Sequence, residues 1–204
     1  MKFLADEMCG NIARWMRILG FDVIYSKDYE KKLKKAVDDK FLVEEALKDY
    51  RILISKDKKL IDSFKQKINL KINEKTELSH KFLENFYKPY ENIYINNSQV
   101  ILPAYFIEGT NILEIIINLF KYFKISIKEK LNFNPEFTRC TKCNAELELI
   151  ENKEKYKNLI PERVYNFHNE FWICKNEECK KIYWRGRHFE RIEKFIQELY
   201  QNLM

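Results

Sequence analysis

The amino-acid sequence predicts an α/β protein in two parts, a mainly parallel sheet covered by helices and then a small ribbon of hairpins. Two observations carry this. Short apolar runs alternate with helix-period segments over the first third of the chain. Four cysteines then fall into two close pairs in the last third. The division is expected as residues 1–136 and 137–204, the second part ending in a helix.

Taken in order, Lys2 to Ala5 is a short apolar run ending at Asp6, and reads as a strand. Asn11 can cap the helix that follows. In that helix Ile12, Trp15, Met16 and Leu19 recur at i, i+3, i+4 and i+7, which makes one apolar face. Arg14 and Arg17 fall off it, and Gly20 is a natural C-terminal stop. Phe21 to Tyr25 reads as a second strand. A charged stretch, Lys27 to Lys35, leads to Asp38 and Asp39. Phe41 to Lys48 is helical with Leu42, Ala46 and Leu47 inward. Arg51 to Ser55 is a third strand, ending just before Asp57, and Leu60, Ile61 and Phe64 mark the next helix.

Residues 65–99 are polar and rich in Asn and Lys, with one helical piece over Leu78 to Tyr87. They are expected to form an insertion or an excursion at the sheet edge. Val100 to Ile107 is strand-like, but Pro103 confines it to an edge or breaks it. Asn111 to Phe123 is a strongly apolar helix, and Lys124 to Glu136 leads to the ribbon.

Composition narrows the class. Of 204 residues 46% are hydrophobic, with fifteen Phe and twelve Tyr, so a real core can form. The formal charge is +6, which suits a polyanion but equally a solvated surface. The first ten residues lack the layout of a signal peptide. The most apolar run, Ile112 to Phe123, is too short to span a bilayer. A soluble, cytoplasmic protein with no membrane partner is expected. In a reducing compartment, close cysteine pairs point to metal rather than to disulfides.

Cys140-Thr-Lys-Cys143 is one knuckle, and Cys174 and Cys179 form a second, wider pair. Strand-like segments flank both: Ala145 to Ile150, Phe171 to Ile173 and Ile182 to Trp184. Two thiolates on each of two tight turns give the tetrahedral set that structural zinc takes, with no position left for water. Beyond the ribbon, Arg185, Arg187 and His188 are interleaved with Trp184 and Phe189. Aromatic faces beside cations suit unstacked RNA bases and phosphates. The alternative is that Trp184 and Phe189 pack the ribbon and the cations are a solvated helix face. Cys9, far from the pairs, reads as a small buried residue.

Three acids stand out in the first part. Asp6 and Asp57 end predicted strands, at the sheet edge where ligands of parallel sheets bind. Asp39 precedes a helix start, where it can cap the helix or turn to the sheet edge. If the three converge, their repulsion is tolerable only beside a cation. Mg²⁺ or Mn²⁺ held there can activate water against a phosphodiester. Arg14 and Arg17 could reach the phosphates of a bound strand, or pair with the acids.

Phe3-Leu4-Ala5-Asp6 followed by Asn11 to Asp22 (Asn-Ile-Ala-Arg-Trp-Met-Arg-Ile-Leu-Gly-Phe-Asp) resembles the opening of the Mut-seven C-terminal RNase family. Three further stretches are similar: Asp39 to Ala46, Arg51 to Asp57, and Phe171 to Cys174 with Ile182 to Arg191. The resemblance implies a PIN-like α/β/α sandwich followed by a zinc ribbon. It also implies a metal-dependent ribonuclease, with Asp6, Asp39 and Asp57 as the active acids. The chain departs from the pattern in a longer stretch before Asp39, in 65–99 and in the widened second cysteine pair. The expected function is hydrolysis of RNA at an Mg²⁺ or Mn²⁺ site, with the structural Zn²⁺ ribbon aiding RNA binding. The rival is a non-catalytic RNA- or ribosome-associated zinc-ribbon protein. A phosphatase with an Asp6 nucleophile fits less well, because Asp6-Glu7-Met8 has no second Asp two residues on.

Overall fold

A computed structural model describes residues 1–72, 77–88, 95–96, 99–125 and 135–204. Most of the expected connector over 124–136, and parts of the expected excursion over 65–99, lie outside them. The chain divides into two compact units, Met1–Met16 with Phe21–Ile125, and Arg17–Gly20 with Ser126–Met204.

The first unit is built on a four-stranded parallel sheet in the order β2-β1-β3-β6. Its strands are β1 (Lys2–Ala5), β2 (Asp22–Tyr25), β3 (Ile52–Ser55) and β6 (Ala104–Phe106). Between the last two comes a short antiparallel pair, β4 (Ile95–Asn96) and β5 (Gln99–Val100). The two central strands are apolar on both faces. Phe3, Leu4, Ala5, Ile52, Leu53 and Ile54 are all fully buried, as expected when helices cover both sides of a parallel sheet. Pro103 sits at the start of the edge strand β6, and its carbonyl accepts from Leu53 N–H (3.0 Å).

The covering helices are α1 (Gly10–Ile18), α2 (Ser26–Leu33), α3 (Asp39–Lys48), α4 (Lys58–Ile72), α5 (Glu77–Tyr87) and α6 (Ile112–Tyr122). Apart from α2, each turns apolar residues inward. Leu60, Ile61, Phe64 and Ile68 of α4 are buried, as are Ile115, Ile116, Leu119 and Phe120 of α6. Edge-on ring contacts join Phe3 to Phe21 (5.7 Å) and Phe21 to Phe120 (5.4 Å). Burying each such side chain contributes about 1.5–3 kcal/mol.

Several local expectations change. Asn11 lies inside α1, and the turn before that helix, Glu7–Cys9, is capped by Asp6, which accepts from Met8 N–H (3.1 Å). The charged stretch after β2 is a helix, α2, at whose start Asp28 accepts from Tyr25 N–H (3.0 Å), while Lys27, Lys31 and Lys32 stay exposed. The excursion over 65–99 contributes to the core, since Leu83, Phe86 and Tyr87 of α5 are buried. Gly20 does end α1, at φ +85°, where a side chain would be strained.

At the amino end of the sheet, buried Arg51 donates through Nη1 to the Phe3 carbonyl and to Asp22 Oδ1 (2.7 Å). One guanidinium thereby fastens the beginnings of three adjacent strands.

The second unit holds an antiparallel sheet β7-β8-β9, formed by β7 (Leu147–Leu149), β8 (Phe171–Cys174) and β9 (Ile182–Trp184). The helix α7 (Glu162–Phe167) precedes β8, and α8 (Arg187–Leu203) closes the chain. Ile150, Tyr165, Phe171 and Ile182 form one small core. Leu147, Trp172 and Phe189 pack with Cys140 and Cys174 in another. Among the described residues no helix is long and apolar enough to cross a membrane.

Candidate active site and metal centre

In the order β2-β1-β3-β6 the chain leaves β1 toward one side of the sheet and β3 toward the other. The crevice of such a sheet opens between these two strands, beyond their carboxyl ends. Asp6 follows β1 directly and Asp57 stands two residues past the end of β3.

Ser55, the last residue of β3 and fully buried, joins them. Its hydroxyl donates to the Asp6 carboxylate and accepts the Asp57 N–H (2.7 Å). The Asp6 N–H in turn donates to the Ile54 carbonyl (3.3 Å). Asp57 Oδ1 accepts from Lys59 N–H (2.7 Å) and Leu60 N–H (3.2 Å), which starts α4. Each acid is therefore held by backbone donors, Asp6 at 4% exposure and Asp57 half-buried. Ser55 was not singled out in the sequence. The available signal was a hydroxyl ending an otherwise apolar strand, two residues before an acid.

Asp39 is the first residue of α3, and Asp38 is its cap, accepting from Phe41 N–H (2.8 Å). The helix start thus divides the two acids, with Asp38 occupied by the backbone and Asp39 left over. Burial, and then the Asp57, Asp38 and Asp6 carboxylates, raise the Asp39 carboxyl above its ordinary value of 3.8. The charges of Asp6 and Asp57, distant in sequence, thus reach Asp39. Their oxygens do not close into a tight cage. Among the described residues the only group of His, Cys, Asp or Glu with all ligand atoms within 4.8 Å is the four cysteines. Oxygen donors outside such a cage could hold a divalent cation that keeps part of its water shell.

Cys9 is fully buried beside the site, and burial followed by the charge of Asp6 pushes its thiol well above the usual range. Arg14 is exposed on α1. Arg17 departs from the expectation of a phosphate contact. It is 3% exposed, its Nη1 donates to the Thr141 carbonyl (3.2 Å), and its own carbonyl accepts from Arg139 N–H (2.9 Å). Being off the apolar face of α1 did not mean being free.

The four cysteines come together in the second unit. Cys143 Sγ lies 3.3 Å from Cys174 Sγ, and Cys140 Sγ lies 3.7 Å from Cys179 Sγ. A tetrahedron of thiolates at ~2.3 Å from zinc has edges of ~3.8 Å, so the set can hold that ion. In the first knuckle Cys140 N–H bonds the Ala145 carbonyl (2.7 Å) and Asn144 turns at φ +68°. The wider second pair closes because Asn176 folds the loop. Its carbonyl accepts from Cys179 and Lys180 N–H, and its Oδ1 accepts from Glu178 N–H. The Tyr183 hydroxyl sits 3.1 Å from Cys140 Sγ and accepts from Thr141 N–H (3.0 Å).

Where β9 runs into α8, a groove of about 590 Å³ is lined by Trp184, Arg185, Arg187 and Phe189, with Glu190 and Glu193 opposite in charge. His168, not anticipated from the sequence, lines it too, whereas the exposed His188 does not.

The Mut7-C RNAse domain family matches residues 1–196. The chain belongs to this family. Membership of the Mut7-C RNAse domain family points to ribonuclease activity and to RNA as the substrate class, and the match takes in both the acid edge and the cysteine ribbon. Comparisons with curated proteins and with solved structures found no match.

Proposed function

We propose that this Mut7-C RNAse domain protein is a metal-dependent endoribonuclease, with Asp6, Asp39 and Asp57 as its active carboxylates. The observation that carries this reading is that Asp6 and Asp57 stand at the crevice between β1 and β3, joined through the Ser55 hydroxyl, while burial and then the Asp57, Asp38 and Asp6 charges raise the Asp39 carboxyl. Carboxylates kept close against their own repulsion suit a divalent cation.

In this reading the three acids hold Mg²⁺ or Mn²⁺. Such an ion lowers the pKa of water and stabilises charge on a phosphodiester. Ser55 fixes the Asp6 carboxylate at one oxygen, while Met8 N–H fixes the other. Asp57 is oriented by the first turn of α4. Asp39, with no cap to serve, is the group best able to adjust to the ion or to take a proton. Zn²⁺ on Cys140, Cys143, Cys174 and Cys179 has a structural role, and the ribbon with Arg185 and Arg187 helps to hold RNA. Arg14 remains the exposed cation of α1 available to a strand.

The test compares parent and Asp6→Asn on single-stranded and structured RNA with Mg²⁺ or Mn²⁺. The Asn amide oxygen can still cap Met8 N–H while its amide nitrogen donates to the Ser55 hydroxyl oxygen, so the fold should persist. Cleavage should fall roughly 100-fold or more, the scale on which a charged active-site group acts. Equal cleavage by both proteins would remove the acids from the mechanism. No cleavage by the parent on any RNA, with binding retained, would favour the non-catalytic binding protein.

A further inference from the structure

The groove at the start of α8 carries charges of both signs that do not neutralise one another. Arg185 and Arg187 line it together with Glu190 and Glu193. None of these four joins a salt bridge among the described residues, although Arg187 and Glu190 are a single helical turn apart. The Arg185 guanidinium rests over the Phe189 ring, 5.8 Å from its centroid. Trp184 lies close over the backbone of Gly186, where an added Cβ would stand 3.2 Å from the indole Nε1.

The walls are fixed from behind. Trp184 packs against the core of Ile150, Phe171 and Ile182. Phe189 stacks on Trp172 (6.1 Å, 28°), beside Cys140 and Cys174. A volume of about 590 Å³ falls in the range of about 300–1,000 Å³ for small-ligand clefts.

A simple anion entering this groove would meet two carboxylates, and a simple cation would meet two guanidinium groups. The ligand that satisfies both has a negative group, a flat ring and an edge of N–H donors. Among the nucleobases guanine alone offers two adjacent donors, N1–H and the 2-amino group, to a single carboxylate. Adenine, cytosine and uracil each present one donor there.

We propose that the groove binds one unstacked guanine nucleotide of a single-stranded RNA. The base lies on Trp184, the adjoining phosphate meets Arg185 and Arg187, and Glu190 or Glu193 accepts from the Watson–Crick edge. The choice of RNA as the carrier of the base rests on the ribonuclease reading. The preference for guanine rests on the groove alone.

The experiment uses the full zinc-loaded chain without added Mg²⁺ or Mn²⁺. Short oligouridylates carrying G, A, C or U at the centre are titrated by fluorescence anisotropy. The central-G strand should bind about tenfold tighter than the others, the scale of one good bidentate base contact. Trp184→Ala should weaken all four strands. Glu190→Gln combined with Glu193→Gln should bring G to the level of A while leaving A unchanged. Both glutamates are exposed, so this pair keeps the test valid if the tryptophan variant does not fold. Equal binding of all four strands, or a G preference that survives the glutamine pair, would overturn the proposal. Metal-dependent cleavage lost in Asp6→Asn, together with no G preference, would leave the nuclease reading standing and remove this one. A G preference in a protein that never cleaves would do the reverse.

Discussion

Ser55 donates its hydroxyl proton to the Asp6 carboxylate, and its oxygen accepts the backbone N–H of Asp57 two residues along. One buried side chain thus sets the spacing of two acids that belong to different strands. Ser55→Ala should leave a buried N–H without an acceptor and a carboxylate short of a donor. A loss of about 1–3 kcal/mol in urea denaturation is expected. Cleavage should fall as well, with a higher requirement for Mg²⁺. A variant as stable and as active as the parent would show that the bridge has no function.

Asp39 gives a prediction in pH. Its carboxyl is raised in the folded chain by burial and by Asp57, Asp38 and Asp6. The folded state therefore holds this proton more tightly than the unfolded state does. Without divalent metal, the Asp39 contribution to stability is largest in acid and declines as pH rises from 3.8 through the raised value. Asp39→Asn should remove this decline, so parent and variant melting curves should converge in acid and diverge toward neutrality. Metal binding has the opposite sign, because the acid must be ionised to hold a cation. Mn²⁺ affinity of the parent, read by titration calorimetry, should weaken as pH falls through the same window.

The cysteines predict one zinc per chain by elemental analysis. Cys174→Ser should cut zinc content roughly tenfold at limiting metal, because it removes one of four thiolates. Chelation should also flatten the near-ultraviolet circular dichroism, since Trp172 and Phe189 pack directly on Cys140 and Cys174. Retained zinc in the serine variant would exclude a four-sulfur site.

Arg51 and Asp22 predict a pure stability effect. Arg51→Met breaks a pair that is buried on the arginine side, at a cost of about 3 kcal/mol. Adding Asp22→Asn should recover part of it by removing the stranded charge. Both residues lie at the amino end of the sheet, so kcat of the surviving folded fraction should not change.

The placement of Asp6 and Asp57 at the ends of β1 and β3 was readable because each follows a short apolar run. The cysteine set was equally readable, since thiolate spacing survives almost any loop between the pairs. The cap of α3 is Asp38, where the sequence had also allowed Asp39. Which acid caps α3 depends on the backbone angles of residue 38, which adjacent identical side chains do not encode. Ser55 was hidden by its position, because a serine closing an apolar strand looks like the strand's natural end. Arg17 was misread because periodicity reports which face of a helix is apolar, not what else covers the polar face. α2 was overlooked because its charged residues have no apolar stripe strong enough to register.

Arg17 carries a last implication. It lies in the last turn of α1, yet it is grouped with residues 126–204, and it supplies the guanidinium for Thr141 and the carbonyl for Arg139. A ribbon excised by one cut would leave both of these partners behind. The C-terminal segment, moved alone into another gene, would therefore lose both hydrogen bonds. A transplant that kept them would carry the arginine-bearing turn from near the start of the chain along with it.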